Sequence, residues 1–254
     1  QGLMRAVGTQ LTAALQQGGS AAVNMLTAVT QTTERLSTAM SGKTEAAQAL
    51  GQTVRTQAVS VIVQVTAQAV ESGTFTNAQQ RTEFVQAAAS YMQAAVTTSA
   101  QLFQSGHTTT ASGASSIAQT FQAVDKFQAA VSKIEGLATT VSAIDQVVLP
   151  AVVTVTASSA FDRAQTPTTV SVETVTAVAT YTASALDRAQ KVEGAQRNDA
   201  VQRAEAAAKG VEKALVSTFE KFQAVQTVAG TERIAAAFQA VDKFQAAVSK
   251  IEGL

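Results

Sequence analysis

Apolar positions along the chain recur every three or four residues, and the recurrence is clearest between Ile117 and Ile134. Placed at about 100° per residue, Ile117, Phe121, Val124, Phe127, Val131 and Ile134 fall within an arc of about 140°. Gln122, Asp125, Lys126 and Lys133 fall outside it, with Ala123 and Ala130 on one flank and Gln128 on the other. The spacing predicts an amphipathic helix, with Gly136 placed to end it in the left-handed conformation that glycine tolerates. The letters of residues 121–137, FQAVDKFQAAVSKIEGL, return without a substitution at 238–254. Phe238, Val241, Phe244, Val248 and Ile251 therefore predict a second stripe, closed by Gly253. Four of the ten phenylalanines lie in the two copies, so each copy is expected to seal one end of a helical bundle.

Other boundaries carry their own signals. TNAQ at 76–79 fits a capping box, with Thr76 as N-cap and Gln79 reaching back. Pro167 suits the first position of a helix. Pro150, in VVLPAVV, is expected to kink or split one. Glycine-containing breaks at 16–20, 41–43, 71–73 and 105–116 separate the remaining segments. Helices are predicted at 3–15, 20–40, 44–71, 77–104, 115–135, 138–149, 151–165, 168–192, 195–229 and 231–252. The Val/Thr-rich stretch 147–181 has strand propensity. Val172, Val175, Val178 and Leu186 keep helical spacing, however, and helix is the reading adopted.

Shorter echoes accompany the perfect duplication: SSAFDRAQ at 158–165 against ASALDRAQ at 183–190, and TERLSTAM at 33–40 against TERIAAAF at 231–238. The expected architecture is all-α, an antiparallel helical bundle of about eight to ten helices built from two related repeat units, 1–137 and 138–254. Residues 105–116 are the candidate linker in the first unit. QGLMRAVG opens the chain as though a unit boundary lay just before it, and the chain reads as a slice of a tandem array.

Composition narrows the function. Apolar residues make up 46%, but they are mostly small, and aromatics are only 5%. At roughly 25 cal/mol per Å² small side chains give a shallow core, which favours close-lying helices with many thin contacts. Eighteen basic residues balance eighteen acidic ones. A nucleic-acid binder needs a basic excess to displace counterions, so nucleic acid is not an expected partner. Zero net charge instead favours self-association. Residues 84–124 carry no formal charge, whereas 191–221 is rich in charge, with Glu193–Arg197, Asp199–Arg203 and Glu205–Lys209 at helix-supporting spacing. The neutral stretch reads as surface able to adhere to like surface. The least polar run noted, residues 56–70, is too short and too rich in glutamine to span a bilayer.

Chemistry is hard to assemble from these residues. The absence of cysteine excludes disulfides, thiolate nucleophiles and cysteine metal sites. His107, the single histidine, sits in a small-residue loop without an acidic neighbour, so no hydrolytic triad or metal set forms around it. SGKT at 41–44 resembles the end of a phosphate-binding loop, but Ser37 stands where the upstream glycine is required. The LDRAQ and FDRAQ motifs read as solvent-facing ion pairs. No catalytic residue, cofactor or metal is expected.

Homogenised perfect repeats, low charge, no cysteine and richness in Ala, Thr, Gln, Ser and Val resemble the repetitive helical units of silk-type proteins, among them the non-dragline spidroins. The resemblance implies a secreted, extracellular fibre, egg-case, cement or glue component, stored soluble and assembled on cue. Its partner would be itself, and its functional residues would be the packing residues named above. Two other readings remain open: an amphipathic coat on a lipid or polymer surface, and a helical ligand carrier.

Overall fold

The computed structural model describes residues 2–41, 44–75, 77–104, 111–158, 169–194, 196–223 and 231–249. Among these the protein is an all-α helical bundle of nine helices without strands. They are α1 (Gly2–Gln17), α2 (Gly19–Ser41), α3 (Glu45–Glu71), α4 (Ala78–Gln104), α5 (Ala111–Val131), α6 (Ala138–Thr156), α7 (Thr169–Gln190), α8 (Gln196–Gln223) and α9 (Thr231–Val248).

Two compact units divide the chain, and they interleave along it. The first comprises 1–95 with 123–144, the second 96–122 with 145–254. The boundary thus falls inside α4, α5 and α6, whereas the repeat boundary at 137/138 is a division of the sequence. In the first unit α1, α2 and α3 pack on one another. Met4, near the start of α1, shares a cleft wall with Thr32, Thr33 and Leu36 near the end of α2, as an antiparallel hairpin requires. In the second unit α7 packs against both α8 and α9.

The helices form where spacing and caps direct. Thr44 caps α3, accepting from the Ala47 amide at 3.4 Å. At the other end Thr74 N–H donates to Ala69 O and Gly73 N–H to Val70 O, with Gly73 at φ +62°. This pairing satisfies two carbonyls that the end of the helix leaves free, and only glycine takes that backbone shape without strain. α4 starts differently from the capping-box expectation. Asn77 Oδ1 accepts from the Gln79 amide at 2.7 Å, while the Gln79 side chain points forward and donates to Glu83 Oε1 at 2.9 Å. Thr76 lies outside the described residues. Asparagine is as good a cap as threonine, and it stands one residue nearer the first helical turn.

Pro150 does not split α6, which runs unbroken through it to Thr156. Pro150 and Gln146 are both exposed, so the carbonyl that loses its partner faces solvent, which can satisfy it, and the penalty of an interior proline is reduced. The fused helix is 19 residues long and holds an 18-residue window of mean hydropathy 1.5, making it long and apolar enough to cross a membrane by length and composition. Splitting the segment at Pro150 hides this property in the sequence. Every described residue of 147–158 and 169–181 is helical or in the turn that closes α6, so spacing prevails over strand propensity. Pro167, the FDRAQ copy and residues 105–110, with His107, lie outside the described residues.

The cores are built from small side chains, as the composition implies. α8 buries Ala200, Ala204, Ala207, Ala208, Val211 and Ala214 at helical spacing and turns Arg197, Asp199, Lys209, Glu212 and Lys213 to solvent. Larger anchors stand among them. Phe84, Met92, Phe127 and Ile144 serve the first unit, and Phe121, Leu149, Tyr181 and Leu186 the second.

Candidate functional site

The duplicated segment is the candidate site, and the structure places its two copies in different surroundings. In the first copy Phe121, Val124, Phe127 and Val131 are wholly buried and Ile134 is nearly so. The edge of the Tyr181 ring meets the Phe121 ring at 5.9 Å and 63°. Gln128, on the flank of the stripe, is also fully buried, and its Nε2 donates to the Val141 carbonyl at 3.0 Å. That bond ties α5 to the start of α6.

Among the described stripe residues of the second copy, Phe244 keeps the buried position of its counterpart, and Ala240 does so on the flank. Phe238 is 52% exposed, Val241 and Val248 are half-buried, Gln245 is exposed, and Ile251 lies outside the described residues. Among the α9 residues whose burial is described, 237–248, those buried are Ala237, Ala240, Phe244 and Ala247. At about 100° per residue, the centre of its buried face has turned about 60° towards the alanine edge, relative to the first copy. One face of Phe238 is covered by Phe219 of α8, stacked at 4.9 Å and 24°. The remaining strip, Phe238–Val241–Gln245–Val248, is apolar apart from one amide and bears no charge.

Local structure is the same in both copies. Each helix stops at the same letter, Val131 and Val248. Ser132 N–H donates to Gln128 O at 2.8 Å and its hydroxyl to Ala129 O at 3.0 Å; Ser249 makes the matching bonds to Gln245 O at 2.9 Å and Ala246 O at 3.1 Å. The first helix was expected to continue to residue 135 and end at Gly136. It stops at Val131 instead, and the Lys133 and Ile134 amides turn to the Ala130 and Val131 carbonyls in the tighter three-residue pattern. Gly136 does adopt positive φ, +85°, within the turn that follows. Gly253 lies outside the described residues.

Two polar clusters were not anticipated. Asp145 of α6 accepts from Tyr181 Oη at 2.6 Å, from Arg188 Nε at 2.9 Å and from Arg188 Nη2 at 2.9 Å. The Arg188 guanidinium also lies 5.3 Å from the Tyr181 ring centroid. The LDRAQ arginine is therefore not a solvent-facing partner of its neighbour. It is mostly buried and forks onto a carboxylate from another helix, the strong geometry for such a pair. In the first unit, the buried Arg55 donates to Ser37 Oγ at 2.6 Å and to Glu34 Oε1 at 3.4 Å. Burial, and then the Glu34 charge, push the nearby Tyr91 phenol well above its usual pKa, against smaller opposing effects of Thr33 and Arg55. A charged residue on an otherwise apolar helical stripe was the available signal: Arg55 precedes Val59, Ile62 and Thr66, and Arg188 follows Tyr181 by two turns.

The Asp145 carboxylate is the shared acceptor of the Tyr181 hydroxyl and the Arg188 guanidinium. Among the described residues no group of three His, Asp or Glu side chains is placed to hold a metal ion. One cleft among α1, α2 and α3, about 220 Å³, is lined by Met4, Val29, Leu36 and Val54 with Thr32 and Thr33 and has no charged lining group; a second between α1 and α3, about 480 Å³, has Arg5, Gln16, Gln64 and Gln68 in its lining. The chain matches no known family model, no curated protein and no solved structure.

Proposed function

We propose that this protein is a non-enzymatic structural component that assembles with copies of itself through helical surfaces, of the extracellular silk, egg-case, cement or glue type. The observation that carries the reading is the duplicated stripe, packed as core in one copy and turned partly to the surface in the other. A surface that is core elsewhere in the same molecule already has the shape and chemistry for dry packing. Zero net charge removes the general repulsion between copies. The uncharged stretch 84–124 adds exposed Gln86, Ser90, Gln101, Gln119 and Gln122, a surface that carries no charge to repel a copy of itself.

A second reading, a coat on a lipid or polymer surface, is favoured by α6. Among the described residues it is the helix long and apolar enough to enter a bilayer, and 44% of that window is buried within the protein. Light scattering and sedimentation against protein concentration, with and without phosphatidylcholine vesicles, separate the two. Assembly in buffer alone supports the structural reading. A chain that stays monomeric in buffer and gains helicity only with vesicles overturns it in favour of the coat. Lysine substitutions at Gln86, Ser90 and Gln101 are expected to raise solubility and suppress assembly; unchanged assembly removes that stretch from the contact.

A further inference from the structure

We infer that the Phe238–Val241–Gln245–Val248 strip of α9 is a symmetric docking face, and that its occupant is the same strip on a second copy of this chain. The inference deepens the self-assembly reading and rests on it. Each residue of the strip has an identical counterpart, Phe121, Val124, Gln128 and Val131, that is fully buried. The strip is therefore a surface that demonstrably packs dry when something covers it.

The first copy also shows what a cover must supply. Phe121 meets an aromatic edge and Gln128 gives its amide to a carbonyl, that of Val141 in α6. The chain has two such strips and one α6, and α6 is engaged with the first. A second molecule offers what the second strip needs. Its Phe238 and Phe219 rings provide aromatic surface, and its Gln245 provides an amide that both donates and accepts. Two glutamines meeting across a two-fold axis satisfy each other reciprocally, so neither buried amide is left unpaired. An interface of this kind uses one patch on both partners and closes as a dimer. Charge agrees with this choice of partner. The strip has no charged side chain to attract an acidic or basic macromolecule; Asp242 stands at its Phe238 edge and Lys243 on the far side of the helix.

The test uses the full chain in sedimentation equilibrium. The expected result is a concentration-dependent dimer whose dissociation constant rises at least tenfold in Phe238→Lys and in Gln245→Lys, with the helical circular-dichroism signal of the parent retained. Gln202→Lys, at an exposed site on α8, is expected to leave it unaltered. The chain has no cysteine, so Gln245→Cys introduces a single thiol. Across a two-fold axis it is expected to oxidise to a disulfide-linked dimer much faster than Gln202→Cys does. A wild-type chain that stays monomeric to high concentration overturns this inference and the self-assembly reading together. Assembly that persists unchanged in both lysine variants overturns the strip alone. Strip-dependent assembly in which Gln245→Cys links no faster than Gln202→Cys overturns the symmetric partner.

Discussion

Residues 121–131 and 238–248 are one sequence in two settings, and the protein thereby contains its own control experiment. Both copies are helical, both stop at the same valine, and both finish with a serine bonded to equivalent carbonyls. Yet the first phenylalanine is wholly buried in one copy and 52% exposed in the other, while the second phenylalanine is buried in both. Secondary structure and its termination follow from the letters themselves. Which face is buried follows from the neighbours. α5 lies against α6 through the Gln128 bond, whereas α9 lies on α7 through its alanine edge.

Paired substitutions sharpen this comparison. The largest effect is expected at the second aromatic, where Phe127→Ala and Phe244→Ala should each cost about 3–5 kcal/mol in urea denaturation. If only Phe127→Ala destabilises, α9 is not held by its buried face. At the first aromatic the copies should part. Phe121→Ala is expected to cost about 3–5 kcal/mol and Phe238→Ala less than about 1.5 kcal/mol, since only the Phe219 stack and partial burial are lost. Equal costs would mean that both sites are core. Next comes the amide. Gln128→Ala should cost about 1–3 kcal/mol, for a buried bond lost and a cavity left, while Gln245→Ala should be neutral within about 0.5 kcal/mol. Gly136→Ala is expected to cost about 1–2 kcal/mol by forcing a side chain into positive φ, read as a lower thermal midpoint. The smallest effects belong to Ser132→Ala and Ser249→Ala, both within about 0.5 kcal/mol of the parent and of each other. A large difference between the two serines would show that the helix ends are not set locally.

The same separation explains what was legible in the sequence. Helix positions were, because apolar spacing, caps and glycines are local. The segments 20–40, 44–71, 77–104 and 168–192 match α2, α3, α4 and α7 within a residue or two. The stripe of the first copy was legible as core for the same reason. Pro150 misled, because whether a helix continues through proline depends on which face is exposed, and exposure is a tertiary property. The Asp145–Arg188 pair was illegible as a pair, since 43 residues separate the partners and only the packing of α6 with α7 brings them together. The outward turn of Phe238 was beyond the sequence in principle, because the identical letters at Phe121 say the opposite.

The six-residue turn between α5 and α6, residues 132–137, has a consequence for how the molecule is put together. As a nascent chain collapses, two equally worded candidates compete for one berth beside α6, and the side chains they bring from the repeated letters are the same. What separates them is tether length. Residues 121–131 arrive on a leash of six residues, and residues 238–248 must close a loop of about eighty, which costs entropy. Connectivity rather than side-chain chemistry thus assigns each duplicate its place, and lengthening the turn would blur the assignment without altering a single contact.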